Sequence, residues 1–194
     1  MPQQLVDRRD IDFVLWEQLN CEQFLNHELY QEFNKKTCDM ILTEARSLAI
    51  KEVLPTLAEG DQEAVKFENG TVKVPESFHR VYKLVLESEW NNLGVPAEMG
   101  GQGAPGFITS AAMEFLLGAN WPLVGYATMG NGTANMIQLY GTEEQKKKYV
   151  EKLTSAEWGG TMLLTEPEAG SDVGALSTTA TRNPDGTFTL TGNK

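Results

Sequence analysis

The sequence predicts an α+β chain, with an all-α helical bundle over residues 1–157 followed by the opening strands of a β domain over residues 158–194. Three observations predict it. Apolar residues recur at helical spacing through the first part, a Gly/Pro-rich stretch at 94–106 separates two helical regions, and after Trp158 the pattern turns to Thr-rich alternation of period two.

In chain order, Ile11, Val14, Leu15 and Leu19 form a short helical stripe with Asp10 as its expected cap. Cys38, Ile41, Leu42, Ala45, Leu48, Ala49 and Val53 then follow a long i, i+3, i+4 pattern, which Pro55 is expected to end. Cys38 on that stripe reads as packing rather than as a reactive thiol. Residues 59–73 read as a polar connection, and Phe78, Val81, Tyr82 and Val85 mark a helix after Pro75. The stretch 94–106 carries five glycines and two prolines in thirteen positions and must be a loop.

Ile108, Ala111, Ala112, Phe115, Leu116 and Ala119 resume the helical pattern, and Trp121-Pro122 is expected to end it. Residues 123–140 are largely apolar or small, so they read as a helix buried on most sides at the centre of the bundle. Its Gly125, Gly130 and Gly132 would let a neighbouring backbone or a ligand come close. After Gly141, Thr142-Glu143-Glu144-Gln145 spells a capping box, which stabilises a helix start by about 1 kcal/mol. Tyr149, Val150 and Leu153 face inward on that helix, and Lys146, Lys147 and Lys148 read as a solvated face.

In the β part, residues 158–165 are a candidate strand. Residues 176–182 and 187–191 read as a hairpin around Asn183-Pro184-Asp185-Gly186. Two or three strands alone leave unpaired edges and an uncovered apolar face, so the chain is expected to be a fragment of a longer polypeptide.

Composition excludes several classes. With 27 acidic against 16 basic residues the formal charge is -11, which argues against nucleic-acid binding and reads as a solubility device. Two cysteines are too few for a disulfide framework and point to a reducing, cytoplasmic setting. The N-terminus has no signal-like apolar core, and no run approaches the roughly 18 apolar residues of a membrane span, so stable membrane insertion is not expected. Gly101-Gln102-Gly103-Ala104-Pro105-Gly106 fits GxGxxG literally, yet it follows a helix and contains proline. A flexible loop is the better reading than a nicotinamide site. His27 and His79 lack partners at any catalytic spacing, and no metal-ligand spacing is present.

The informative stretch runs from Met162 to Gly174. A strand would deliver Thr165 to a turn at Pro167, and Ala169-Gly170-Ser171 offers small side chains with accessible amides. On the residues alone this is either a ligand-binding turn or an ordinary Asx or Ser turn between strands. Thr165-Glu166-Pro167-Glu168-Ala169-Gly170-Ser171-Asp172, however, resembles the signature of the acyl-CoA dehydrogenase family. Leu93 to Gly101 resembles that family's loop in its N-terminal helical domain, and Gly141 to Tyr149 resembles its capped helix before the sheet. The segments 9–15 and 68–78 are similar to a longer bacterial branch that includes methylthiopropanoyl-CoA dehydrogenase-like members.

The resemblance implies a helical first domain, the first strands of a truncated β-barrel domain, and a further helical domain outside this chain. It implies FAD as cofactor, an acyl-CoA substrate undergoing α,β-dehydrogenation, electron-transfer flavoprotein as acceptor, and a homo-oligomer when full length. Carried over, Met162, Leu164 and Thr165 would lie along the flavin, with the Thr165 hydroxyl on its polar edge. Gly170 and Ser171 would meet the diphosphate region, and Ser171 also the substrate's CoA tail. Asp172 would order the turn. The catalytic base would be a glutamate of the later domain and a Trp-Thr strand would follow Lys194, so Glu166 reads as structural and no catalytic residue is assigned here. Glu168 stands where many relatives have glycine. Acyl-chain preference would depend on residues 123–140 together with the later helices, Gly125 and Gly130 leaving room. The alternatives are an acyl-CoA oxidase-like enzyme and a non-catalytic helical interaction module.

Overall fold

A computed structural model describes Leu5 and residues 7–194, which divide between Gly160 and Thr161 into two compact units. The first unit opens with α1 (Arg8–Asp12), whose cap is Asp7 rather than Asp10: the Asp7 carboxylate accepts from the Arg9 amide at 2.9 Å. A π-helical turn, Phe13–Gln18, follows, so the apolar stripe is only half used. Ile11 and Leu15 are buried while Phe13, Val14 and Leu19 stay exposed. Arg8 ties this segment to the body through Asp39 at 3.0 Å, and the Trp16 indole donates to the same carboxylate at 3.1 Å.

Asn34 caps α2 (Lys35–Leu48) by accepting from the Thr37 amide. The expected stop at Pro55 is instead a start. The helix loosens through a π turn at Ala49–Val53, and Pro55 becomes the first residue of α3 (Pro55–Glu63), where its missing N–H costs nothing. The expected polar connection therefore contains a helix, and also a small antiparallel hairpin, β1 (Lys66–Glu68) with β2 (Thr71–Lys73), turning at Gly70 with φ +77°. Then comes α4 (Glu76–Glu87).

The long helix α5 (Gly106–Tyr140) is two segments in one run, broken at Asn120 (φ -160°, ψ 91°) just before Trp121-Pro122. Asn120 caps the second segment, its Oδ1 accepting from the Leu123 amide at 3.2 Å. Its Nδ2 donates to the Thr56 hydroxyl at 2.8 Å, and that hydroxyl donates to Val53 O at 2.7 Å. Uninterrupted in outline, α5 is long and apolar enough to cross a membrane by length and composition, but half of its most apolar window is buried inside the fold. It is a core helix.

Cys38, Leu42, Ala45, Ala49 and Val53 meet Val81 and the α5 residues Ile108, Ala112, Phe115, Leu116 and Ala119 in the main core. The capping box forms as expected at the start of α6 (Glu143–Thr154), with Thr142 N–H on Gln145 Oε1 and Gln145 N–H on Thr142 Oγ1. A second core of Val95, Met99, Ala134, Val150 and Leu153 fixes the loop between α4 and α5 against α5 and α6. That loop is held, not flexible: the amides of Gly101, Gln102, Gly103 and Ala104 donate to Pro96, Asn92, Val95 and Leu93 carbonyls. None of those four is left for a phosphate, which removes the nicotinamide reading.

In the second unit, β3 (Thr179–Arg182) pairs antiparallel with β4 (Phe188–Thr191) across the expected turn, with Gly186 at φ +85°. Residues 158–165 form no strand. A ladder needs a neighbour, and among the described residues none pairs with them.

Candidate functional site

In the second unit the chain runs exposed through Met162 (80% exposed), Leu163 and Leu164 to Thr165, then turns under at Glu166. Glu166 and Ala169 exchange both backbone hydrogen bonds at 3.1 Å, so Pro167-Glu168 sits at the tip of a tight turn. Thr165 and Gly170 are the residues next out from that bridge. Asp172 closes the far side, its Oδ1 accepting from the Gly174 amide at 3.1 Å and capping the short 3₁₀ turn Val173–Ala175.

Glu166 is the sole buried charged side chain among the described residues. Its Oε2 accepts from the Ser177 amide (2.6 Å) and hydroxyl (2.8 Å). Its Oε1 accepts from the Thr178 amide (3.0 Å), from the Thr178 hydroxyl, and from the Lys194 ammonium at 2.9 Å. The Thr178 hydroxyl, the Ser177 amide and Lys194 together hold its carboxyl well below the usual carboxylate range. A carboxylate so stabilised as the anion, with both oxygens occupied, is a poor proton acceptor.

The five residues expected to hold a ligand, Met162, Leu164, Thr165, Gly170 and Ser171, are all exposed on the two arms of this turn. Among the described residues, the hydroxyls of Thr165 and Ser171 and the amides of Gly170 and Ser171 have no intrachain partner, and a Cβ built on Gly170 would meet only open space. The partners of Glu166 were not legible. Ser177 and Thr178 lie in an ordinary Ser/Thr run, and Lys194 is 28 residues away in sequence.

The first unit has its own open feature. Residues 123–140 are not buried on most sides: Tyr126, Met129, Met136, Leu139 and Tyr140 are exposed, Tyr140 at 84%, as is Trp121 just before them. Trp121, Pro122, Gly125, Tyr126 and Met129 line an apolar groove of about 370 Å³. Gly125 makes room for the Trp121 ring, which a Cβ there would meet at 2.4 Å, and Gly130 admits backbone, its Cβ position lying 2.6 Å from Leu153 O. The groove has no charged group in its lining, so its chemistry is that of a hydrocarbon surface.

Residues 35–157 match the acyl-CoA dehydrogenase N-terminal domain. The chain is 37% identical over 188 residues to the broad-specificity linear acyl-CoA dehydrogenase FadE5 of Mycobacterium tuberculosis, a match covering 96% of this chain and 30% of that protein. It is 32% identical to the 3-methylmercaptopropionyl-CoA dehydrogenase of Ruegeria pomeroyi, covering 96% of this chain and 32% of that protein. The structure of a Bacillus anthracis acyl-CoA dehydrogenase complexed with FAD superposes with a TM-score of 0.65 at 29% identity, covering 84% of this chain and 26% of that one. The chain thus spans about a third of the length of the curated relatives it matches. On fold and sequence together, the chain belongs to the acyl-CoA dehydrogenase family.

Proposed function

We propose that this chain forms the N-terminal helical domain and the first flavin-holding turn of an FAD-dependent acyl-CoA dehydrogenase. The observation that carries the reading is the turn at 162–171, an exposed apolar strip ending in donors with no partner among the described residues. That donor set fits the group. Met162 and Leu164 supply apolar contact for a ring face, and the Thr165 hydroxyl can donate to a polar ring edge. The Gly170 amide and the Ser171 amide and hydroxyl suit a diphosphate, with Ser171 also available to the CoA portion of the substrate. FAD, when bound, supplies the two-electron acceptor for α,β-dehydrogenation of the thioester.

No side chain of this turn removes the substrate's α proton in the proposed reaction, because Glu166 is spent on Ser177, Thr178 and Lys194. By the family resemblance the base is a carboxylate from the part of the relatives' length that this chain does not span, and the 194 residues alone are inactive. The apolar groove at Trp121, Gly125, Tyr126 and Met129 suits an acyl chain by its lining. Electron-transfer flavoprotein as acceptor, a cytoplasmic location and a homo-oligomeric intact protein complete the proposal. The buried free thiols of Cys21 and Cys38 are compatible with that location.

The test is an anaerobic titration of the intact protein with straight-chain acyl-CoA thioesters, followed by turnover with electron-transfer flavoprotein or with oxygen. Reduction of a bound flavin and turnover with the flavoprotein are expected. Peroxide formation at comparable rate would instead favour an oxidase-like enzyme.

A further inference from the structure

Burying a carboxylate is costly unless it is fully compensated, and the second unit has little core in which to bury one. Yet Glu166 is covered and receives five donors, while Thr165 immediately before it is exposed and bonds nothing among the described residues. The Lys194 ammonium does double duty. Besides pairing with Glu166 at 2.9 Å it donates to Leu164 O at 3.1 Å. Thr165 is therefore bracketed: the carbonyl before it is held by Lys194, and the side chain after it by Lys194, Ser177 and Thr178. The Glu166–Ala169 bridge then ties Gly170 into the same rigid turn. Five contacts are spent around one free hydroxyl, the pattern of a donor preorganised for a ligand rather than of a turn that only closes the chain.

We propose that Glu166 and Lys194 form a latch that positions the Leu164–Thr165 edge and the Gly170–Ser171 amides for the flavin, making both of them positioning residues rather than catalytic ones. This rests on the FAD reading above for its ligand, and on the chain's own geometry for the latch. Removing either partner frees the same edge, so the two substitutions act through one element. The side chain of Lys194 reaches Leu164 O as well as Glu166, so charge at 194 alone is insufficient: the donor must reach both acceptors.

The test uses the intact protein carrying Glu166→Gln, Lys194→Met, the double substitution, and Lys194→Arg. Two properties are read, the flavin dissociation constant with its visible band, and hydrogen exchange at the Ser177 and Thr178 amides in the flavin-free form. Glu166→Gln and Lys194→Met are each expected to weaken flavin binding by about tenfold or more and to shift the band. The double variant should be no worse than the more damaged single one. Lys194→Arg, which keeps the charge and adds donors, should recover most of the affinity. The melting temperature should stay within a few degrees, separating misplacement from failure to fold.

Flavin affinity within about twofold of wild type and an unmoved band in both single variants would overturn the proposal, as would a double variant whose loss is the product of the singles. A wild-type protein that takes up no flavin would sink the FAD reading instead. In that event exchange at Ser177 and Thr178 decides the latch, about tenfold faster exchange in both single variants supporting it and unchanged exchange overturning it.

Discussion

Asn120 does two things with one amide group, and both are hidden from a linear reading. Its carbonyl oxygen caps the second half of α5, and its NH₂ reaches Thr56, 64 residues earlier in the chain. Asn120→Ala should cost about 2 kcal/mol in denaturant unfolding, because a cap is lost and a buried hydroxyl loses a partner. Asn120→Asp, which keeps the acceptor but places a carboxylate at a site only 1% exposed with a single amide donor, should cost at least as much. Glu166 makes a pH prediction. Its folded pKa lies below that of an unfolded glutamate, about 4.3, so its contribution is fully present above that value and is lost as pH falls below it. Amide protection at Ser177 and Thr178 should therefore hold at neutral pH and decline in acid, and in Glu166→Gln it should be low at every pH. The sequence marked Glu166 as structural only through resemblance. The atoms that make it so come from Lys194 and from two residues of a plain Ser/Thr run, and no spacing rule links them.

At the scale of elements, the helical stripe from Cys38 to Val53 and the capping box at Thr142 were legible because each signal is local: a period, or two side chains three residues apart. Pro55 misled for an equally local reason, since proline ends one helix and begins the next with the same fixed φ. The strand expected at 158–165 failed because a strand is defined by its neighbour, and alternation of side chains does not supply one. Close contacts between elements are likewise set by tertiary packing. Gly130 lies where α5 meets the end of α6, and Gly130→Ala would push a methyl to 2.6 Å from Leu153 O, a backbone atom that cannot rotate away. A loss of about 1–3 kcal/mol in unfolding is expected, against a near-neutral Gly132→Ala, whose added methyl meets nothing within 4 Å.

Across the whole molecule the two units differ in kind. The helical unit has an apolar core, and burial there pushes the Cys38 thiol up to about 11 with Asp39 adding to the shift. Cys38 should resist alkylation at about pH 8 until the protein is unfolded, with a mass increase at that residue in the native state as the contrary result. The helical bundle and the hairpin were readable from periodicity, whereas the openness of residues 121–140 was not. A uniformly apolar helix looks buried in sequence whether its cover lies within this chain or in another part of a longer one. Trp121, Met129, Met136 and Tyr140 stand exposed here, and Phe188 and Leu190 on β4 do so in the second unit. Together with relatives about three times longer, these uncovered surfaces support the proposal that the activity belongs to the intact protein. The central claim is that the intact protein holds a flavin reducible by acyl-CoA. The most direct measurement is its visible absorption spectrum before and after anaerobic addition of an acyl-CoA thioester. A flavin band that bleaches on addition is the predicted result, and a colourless intact protein, or a flavin that no acyl-CoA thioester reduces, would contradict it.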